Sequence, residues 1–102
     1  MLCIEGKVSR LQKLVNMKSL FSNREHELQY LLHCQSAGAL CWVIIAHLGK
    51  SRSWRCLAAK PEICQGLLHN GSSDIEEMID QGMLVECESI GEGNWDLSKL
   101  FL

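Results

Sequence analysis

Residues 39–48 read Ala-Leu-Cys-Trp-Val-Ile-Ile-Ala-His-Leu, and this run decides the fold class. It is apolar on every side, so a helix over these residues would lie in the middle of a hydrophobic core. Val43, Ile44 and Ile45 would also suit a buried strand, because a short apolar run fits either structure. We predict a helix, which makes the chain mainly α.

The residues before this run predict two further helices. Apolar side chains at helical spacing mark an amphipathic helix over residues 8–21. Ser22, with Glu25 three residues later, is typical of a capping box that begins a second helix ending near Cys34. We therefore expect residues 1–36 to form an N-terminal helical extension.

The residues after this run predict two short helices and a hairpin. Pro61 is typical of a first helical position, and that helix should end near Leu68. Ser73 and Glu76 form another capping box, and Gly82 suits the end of the helix that follows. Apolar and acidic residues then alternate over residues 83–89 and 95–97, which predicts a two-stranded hairpin with one buried and one acidic face.

The order of these elements resembles that of winged-helix domains. Asp74-Ile-Glu-Glu-Met-Ile-Asp-Gln-Gly-Met-Leu-Val-Glu86 is similar to the end of a winged-helix third helix, and Gly93-Asn-Trp-Asp-Leu97 to the returning wing strand. The resemblance implies a winged-helix-like core over residues 39–99. We expect one domain over residues 1–102, mainly α with a C-terminal two-stranded β-hairpin, in the winged-helix-like α+β class.

Charge is sorted along the chain. Residues 1–60 hold nine Lys/Arg against three acids, whereas residues 61–102 hold one Lys against nine acids. A charge difference between two halves favours contact with a macromolecule over small-molecule chemistry.

The acidic half predicts a protein-binding surface. Winged-helix domains commonly place the third helix in the DNA major groove, but carboxylates at that position would be repelled by phosphates. We therefore expect a small non-enzymatic inhibitor or adaptor that binds a basic surface of another protein; a phage- or plasmid-encoded regulator would fit this size. The predicted binding residues are Glu76, Glu77, Asp80, Glu86 and Glu88.

A DNA-binding, dimeric transcriptional regulator is the alternative hypothesis. In it, the N-terminal helix and the basic segment 50–60 would bind duplex DNA. The predicted nucleic-acid-binding residues are Lys50, Arg52, Trp54, Arg55 and Lys60. Homodimerisation fits this alternative, and contact between basic and acidic faces is a further route to self-association.

Other classes of function are disfavoured by missing motifs. The sequence has no phosphate-binding glycine loop and no nucleophile elbow, so we expect neither enzyme activity nor a cofactor. Six cysteines without a C-x-x-C pair or a signal peptide indicate reduced thiols in the cytoplasm rather than a metal site. Residues 28–49 carry no formal charge, but polar side chains and Gly38 interrupt them, so we expect no membrane span.

Overall fold

The structure, a computed structural model, describes residues 1–10, 12–49 and 52–101. These residues contain seven strands and four helices, followed by one 3₁₀ turn. The elements are β1 Leu2–Ser9, β2 Leu14–Val15, α1 Met17–Leu20, α2 Glu25–Ser36, β3 Leu40–Leu48, β4 Trp54–Ala59, α3 Pro61–Leu67, β5 Ser73–Asp74, α4 Ile75–Asp80, β6 Val85–Gly91, β7 Asn94–Asp96 and the 3₁₀ turn Ser98–Phe101.

Five strands form a mixed sheet in the order β1-β3-β4-β6-β7. β1 is parallel to β3, with Leu2 opposite Leu40 and Ser9 opposite His47. A parallel pair needs a long crossover, which α2 and its neighbouring segments supply. The other neighbours in the sheet are antiparallel. β2 and β5 form a separate two-stranded ribbon.

The run 39–48 is strand β3, and the predicted helix there is wrong. β3 lies between β1 and β4; its helix-side residues are all buried and the residues of its other face are buried or half-buried, so an apolar residue is favoured at nearly every position. This burial removes the alternation that would have identified a strand. Val43 and Ile45 point to the helices, while Trp42 points to the opposite face of the sheet.

The main core lies between the sheet and the helices. Cys41, Val43 and Ile45 of β3 and Leu57 and Ala59 of β4 are fully buried there. The helices and loops supply the facing side chains, which include Met17, Phe21, Leu28, Leu31, Cys64, Ile75, Met78 and Leu84.

A smaller cluster covers part of the opposite face. Trp42, Cys56, Ala58 and Cys87 pack there against Leu100 from the 3₁₀ turn. The Trp42 indole Nε1 donates a hydrogen bond to the Leu100 carbonyl oxygen over 2.9 Å. The C-terminal segment is thereby held against the centre of the sheet.

The predicted elements of the C-terminal half are close to those observed. α3 begins at Pro61, and Gly82 follows α4 with a φ of +76°. Asp74 rather than Ser73 caps α4, because its Oδ1 accepts the Glu77 backbone N–H over 3.0 Å. The hairpin β6–β7 lies where the alternation predicted it, but it extends the five-stranded sheet.

The predicted fold class is contradicted. A mixed five-stranded sheet replaces the mainly α, winged-helix-like arrangement, and the described residues are 38% strand and 34% helix. The expected helical extension is not formed at its start, because Leu2–Ser9 is a strand and the described residues between 10 and 21 hold a two-residue strand and the short helix α1. Within residues 1–10, 12–49 and 52–101, no helix has the length and apolarity needed to cross a membrane.

Candidate functional site

The predicted acidic residues lie on two neighbouring elements. Glu76, Glu77 and Asp80 are exposed on α4, because that helix turns Ile75 and Met78 into the core. Glu86 and Glu88 lie on β6, where Val85 and Cys87 point instead to the cluster around Trp42. The structure therefore places these carboxylates on the outward sides of two consecutive elements, α4 and β6, which residues 81–84 connect.

Arg55 of β4 links these two elements. Its Nε and Nη2 donate to the two carboxylate oxygens of Glu86 over 2.7 and 2.8 Å. Its Nη1 lies 2.7 Å from Glu76 Oε1. The two-point hydrogen bond to Arg55 lowers the pKa of Glu86 below its usual value. Arg55 is therefore paired with the predicted acidic residues and does not belong to a separate basic surface.

The other predicted acids keep their charge exposed. Among the described residues, no Lys, Arg or His forms an ion pair with Glu77, Asp80 or Glu88. Glu77 accepts only a hydrogen bond of 3.3 Å from the Gln81 side-chain amide. We define these three residues as the open acidic surface.

The structure disperses the predicted nucleic-acid-binding residues. Arg52 precedes β4 and Lys60 follows it, which separates them by eight positions, or roughly 26 Å along an extended chain. The Lys60 ammonium lies 4.3 Å from the centre of the Trp42 ring. Trp54 is 42% exposed, and the Arg10 guanidinium lies 5.9 Å from its ring. Lys50 lies outside the described residues.

Two grooves flank Arg55. The larger, about 580 Å³, is lined by Lys13, Ser53, Arg55, Asp74 and Glu76 together with Gln12, Gly49 and Ile75. The smaller, about 370 Å³, lies beside Trp54, Trp95 and Lys99. Both grooves mix charges of opposite sign, and Arg55 is already paired, so we find no cluster of convergent catalytic groups in either.

One serine–histidine pair is present but buried. Ser9 Oγ lies 2.9 Å from His47 Nδ1, and the other ring nitrogen contacts the Gln12 backbone carbonyl. His47 is fully buried and Ser9 is 4% exposed. A nucleophile must reach its substrate, so this pair is suited to holding the loop after β1 against β3 rather than to catalysis.

The cysteines are structural in character. All six are free, and burial raises the pKa of both Cys56 and Cys64 to about 12. A raised pKa disfavours the thiolate, which is the reactive and metal-binding form. In the part of the chain that the structure describes, no three His, Cys, Asp or Glu side chains are grouped as a metal site.

Sequence reasoning missed the exposed apolar side of β1. Leu2, Ile4 and Val8 are 44%, 45% and 57% exposed on one face of this strand. The signal was available, because apolar residues alternate with Cys, Glu, Lys and Ser over residues 2–9.

Comparison with known proteins does not assign the chain to a family. No protein-family model matches the chain, and no curated protein or solved structure was found to be similar to it.

Proposed function

We propose that this chain is a small protein-binding module, an inhibitor or adaptor without catalytic activity, whose open acidic surface meets a basic surface of another protein. The observation that carries the proposal is that, among the described residues, Arg55 alone forms ion pairs with carboxylates of α4 and β6, while Lys13 and Lys99 line the grooves beside it without pairing. Arg55 pairs with Glu76 and Glu86, while Glu77, Asp80 and Glu88 keep their charge exposed among the described residues.

The same observation weighs against duplex DNA as the partner. Affinity for DNA depends on Lys and Arg that neutralise phosphates and release counterions. Arg55 is engaged by two carboxylates, and Lys60 lies over Trp42 at the other end of β4. Phosphates approaching Arg55 would also approach Glu76 and Glu86.

Arg55 supports the proposal by fixing the geometry of the surface. It joins a helix to a strand through three short contacts, so α4 and β6 present their remaining carboxylates in a fixed arrangement. A preorganised charged surface loses less entropy on binding and attracts a partner of opposite charge at a distance. A cytoplasmic location belongs to the proposal and is supported by six free thiols.

The test compares two charge reversals of equal size. E77K/D80K reverses two residues of the open acidic surface, whereas E25K/E62K reverses two exposed acids at the starts of α2 and α3. Each variant and the wild type are immobilised, and proteins captured from the host lysate are quantified at low and high salt.

We expect basic proteins to be captured by the wild type and by E25K/E62K and to be lost with E77K/D80K. High salt should weaken the capture, because exposed charges are screened. Equal capture by all three would contradict the proposal. A gel shift with short duplex DNA at low salt accompanies the test, and binding that survives in the wild type would favour the DNA-binding alternative.

A further inference from the structure

β1 is an edge strand that is long and regular enough to pair with a further strand. Among residues 1–10, 12–49 and 52–101, only β3 pairs with it, so the other side of an eight-residue strand faces outward. It contains no Pro and no bulge, which are devices that protect sheet edges. Its outward backbone groups can therefore form hydrogen bonds with another strand.

The exposed face of β1 is apolar. Leu2, Ile4 and Val8 are each more than two-fifths exposed. Exposed apolar side chains that are grouped on one strand are typical of an interaction surface. A groove of about 590 Å³ runs along the same edge between β1 and α2, and the exposed Tyr30 of α2 lines it.

The other face of β1 carries two opposite charges, Glu5 and Lys7, which restrict the kind of strand that can pair with it. Glu5 and Lys7 point toward the helix side, with their charged groups 3.5 Å apart. Lys7 is also held 2.7 Å from Glu27, so its side chain lies along the sheet. One strand thus presents a carboxylate and an ammonium two positions apart on either side of Gly6.

This pattern is complementary to itself. When two copies of β1 pair in antiparallel fashion about Gly6, Glu5 of each copy lies opposite Lys7 of the other. The same register places Ile4 opposite Val8 on the exposed face. A register centred on Glu5 would instead oppose two carboxylates, and one centred on Lys7 would oppose two ammonium groups; like charges that face each other destabilise a strand pair.

We propose that two copies of this chain associate through β1, in antiparallel register about Gly6, to form a two-fold dimer with one continuous sheet. A two-fold interface uses the same patch on both copies, as this register does. Pairing removes two exposed sheet edges and joins the two apolar strips. The proposal is independent of the open acidic surface, whose residues lie on α4 and on β6, three strands from β1 in the sheet.

Sedimentation equilibrium over a concentration series tests the proposal. The wild type should change from 11.5 kDa to twice that mass as its concentration rises. E5K should weaken the dimer by roughly ten-fold, because both symmetry-related pairs change from attraction to repulsion. K7E/E27K should weaken it equally while keeping an oppositely charged partner for residue 7.

Mixing the two variants gives the sharpest result. In a mixed pair, the E5K copy carries ammonium groups at positions 5 and 7, and both face carboxylates of the K7E/E27K copy. A heterodimer should therefore form although neither variant dimerises well alone. V8K should also weaken the wild-type dimer, whereas I90K, which changes an exposed apolar residue on β6, should not. Circular dichroism checks that each variant is folded.

Three outcomes would overturn the proposal. A wild type that stays monomeric throughout the series would exclude self-association. The remaining partner for the edge of β1 would then be a strand from another protein. A dimer unaffected by E5K and V8K would place the interface elsewhere. A mixture of E5K with K7E/E27K that remains monomeric would exclude this register.

Discussion

The two faces of the five-stranded sheet are covered to very different extents. Val43, Ile45 and Leu57 on the helix side are fully buried, whereas Ile4 and Val8 on the opposite side of β1 are about half exposed. On the opposite face, the cluster around Trp42 and Leu100 covers the middle of the sheet but does not reach these two side chains. The helix side therefore supplies stability, while the uncovered part of the other side is available for association.

Isoleucines on the two faces of the sheet should differ most in their contribution to the free energy of unfolding. Ile45→Ala should lower the free energy of unfolding by about 2–5 kcal/mol, because it leaves a cavity under the helices. Ile4→Ala should change it by less than about 0.5 kcal/mol, because that side chain is already in contact with water. Urea unfolding at low protein concentration measures both, and equal losses would contradict the comparison.

A substitution in the covered part of the opposite face should cause an intermediate loss of stability. Trp42→Phe removes the donor to the Leu100 carbonyl and reduces the packing beneath the 3₁₀ turn. We expect a loss of about 1–3 kcal/mol, which is typical when a buried polar group loses its partner. Unfolding monitored by far-UV circular dichroism measures it; unchanged stability would mean that the C-terminal segment is not held to the sheet.

Arg55→Met tests the ionic link between α4 and β6 at the margin of the helix side. We expect a loss of about 1 kcal/mol at neutral pH, discounted because Glu76 and Glu86 are partly exposed. Arg55 lowers the pKa of Glu86, so its contribution is present above the unfolded pKa of that carboxyl and disappears as pH falls through the folded value. Wild type and variant should therefore converge in acid; a constant difference would contradict the assignment.

The smallest effect should come from the open acidic surface itself. Asp80 is the last residue of α4, where a negative charge opposes the helix dipole. Asp80→Asn should therefore leave stability unchanged or raise it by about 0.3 kcal/mol, as measured by thermal unfolding. A marked loss would indicate that Asp80 has a structural partner and does not serve a binding surface.

The sequence predicted the second half of the fold better than the first. Pro61, Gly82 and the alternation after residue 83 are local signals, and local chemistry decides those boundaries. β3 was predicted to be a helix because apolar residues occupy both its buried face and its half-buried face, which hides the period of a strand. The pairing of β1 with β3 depends on residues nearly forty positions apart, which no local pattern contains.

The candidate site was predicted in part. The acidic residues could be placed on α4 and β6 from their spacing, since both elements have one apolar side. The pairing of Arg55 with Glu76 and Glu86 could not be predicted, because it requires β4 to lie beside β6 and Glu76 of α4 to reach Arg55. The same sheet order separates Arg52 from Lys60, although a basic segment had suggested a single surface.

Amide hydrogen exchange in β1, resolved by residue and measured at low and high protein concentration, tests most directly whether the uncovered strand β1 associates with a second copy. Alternate amides of Leu2–Ser9 bond to β3 and should exchange slowly at both concentrations, as should those of β3. The amides between them should exchange rapidly in dilute protein and slow down as the concentration rises. Rapid exchange of all β1 amides would contradict the account. An exchange rate of the outward amides that is the same at both protein concentrations would also contradict it.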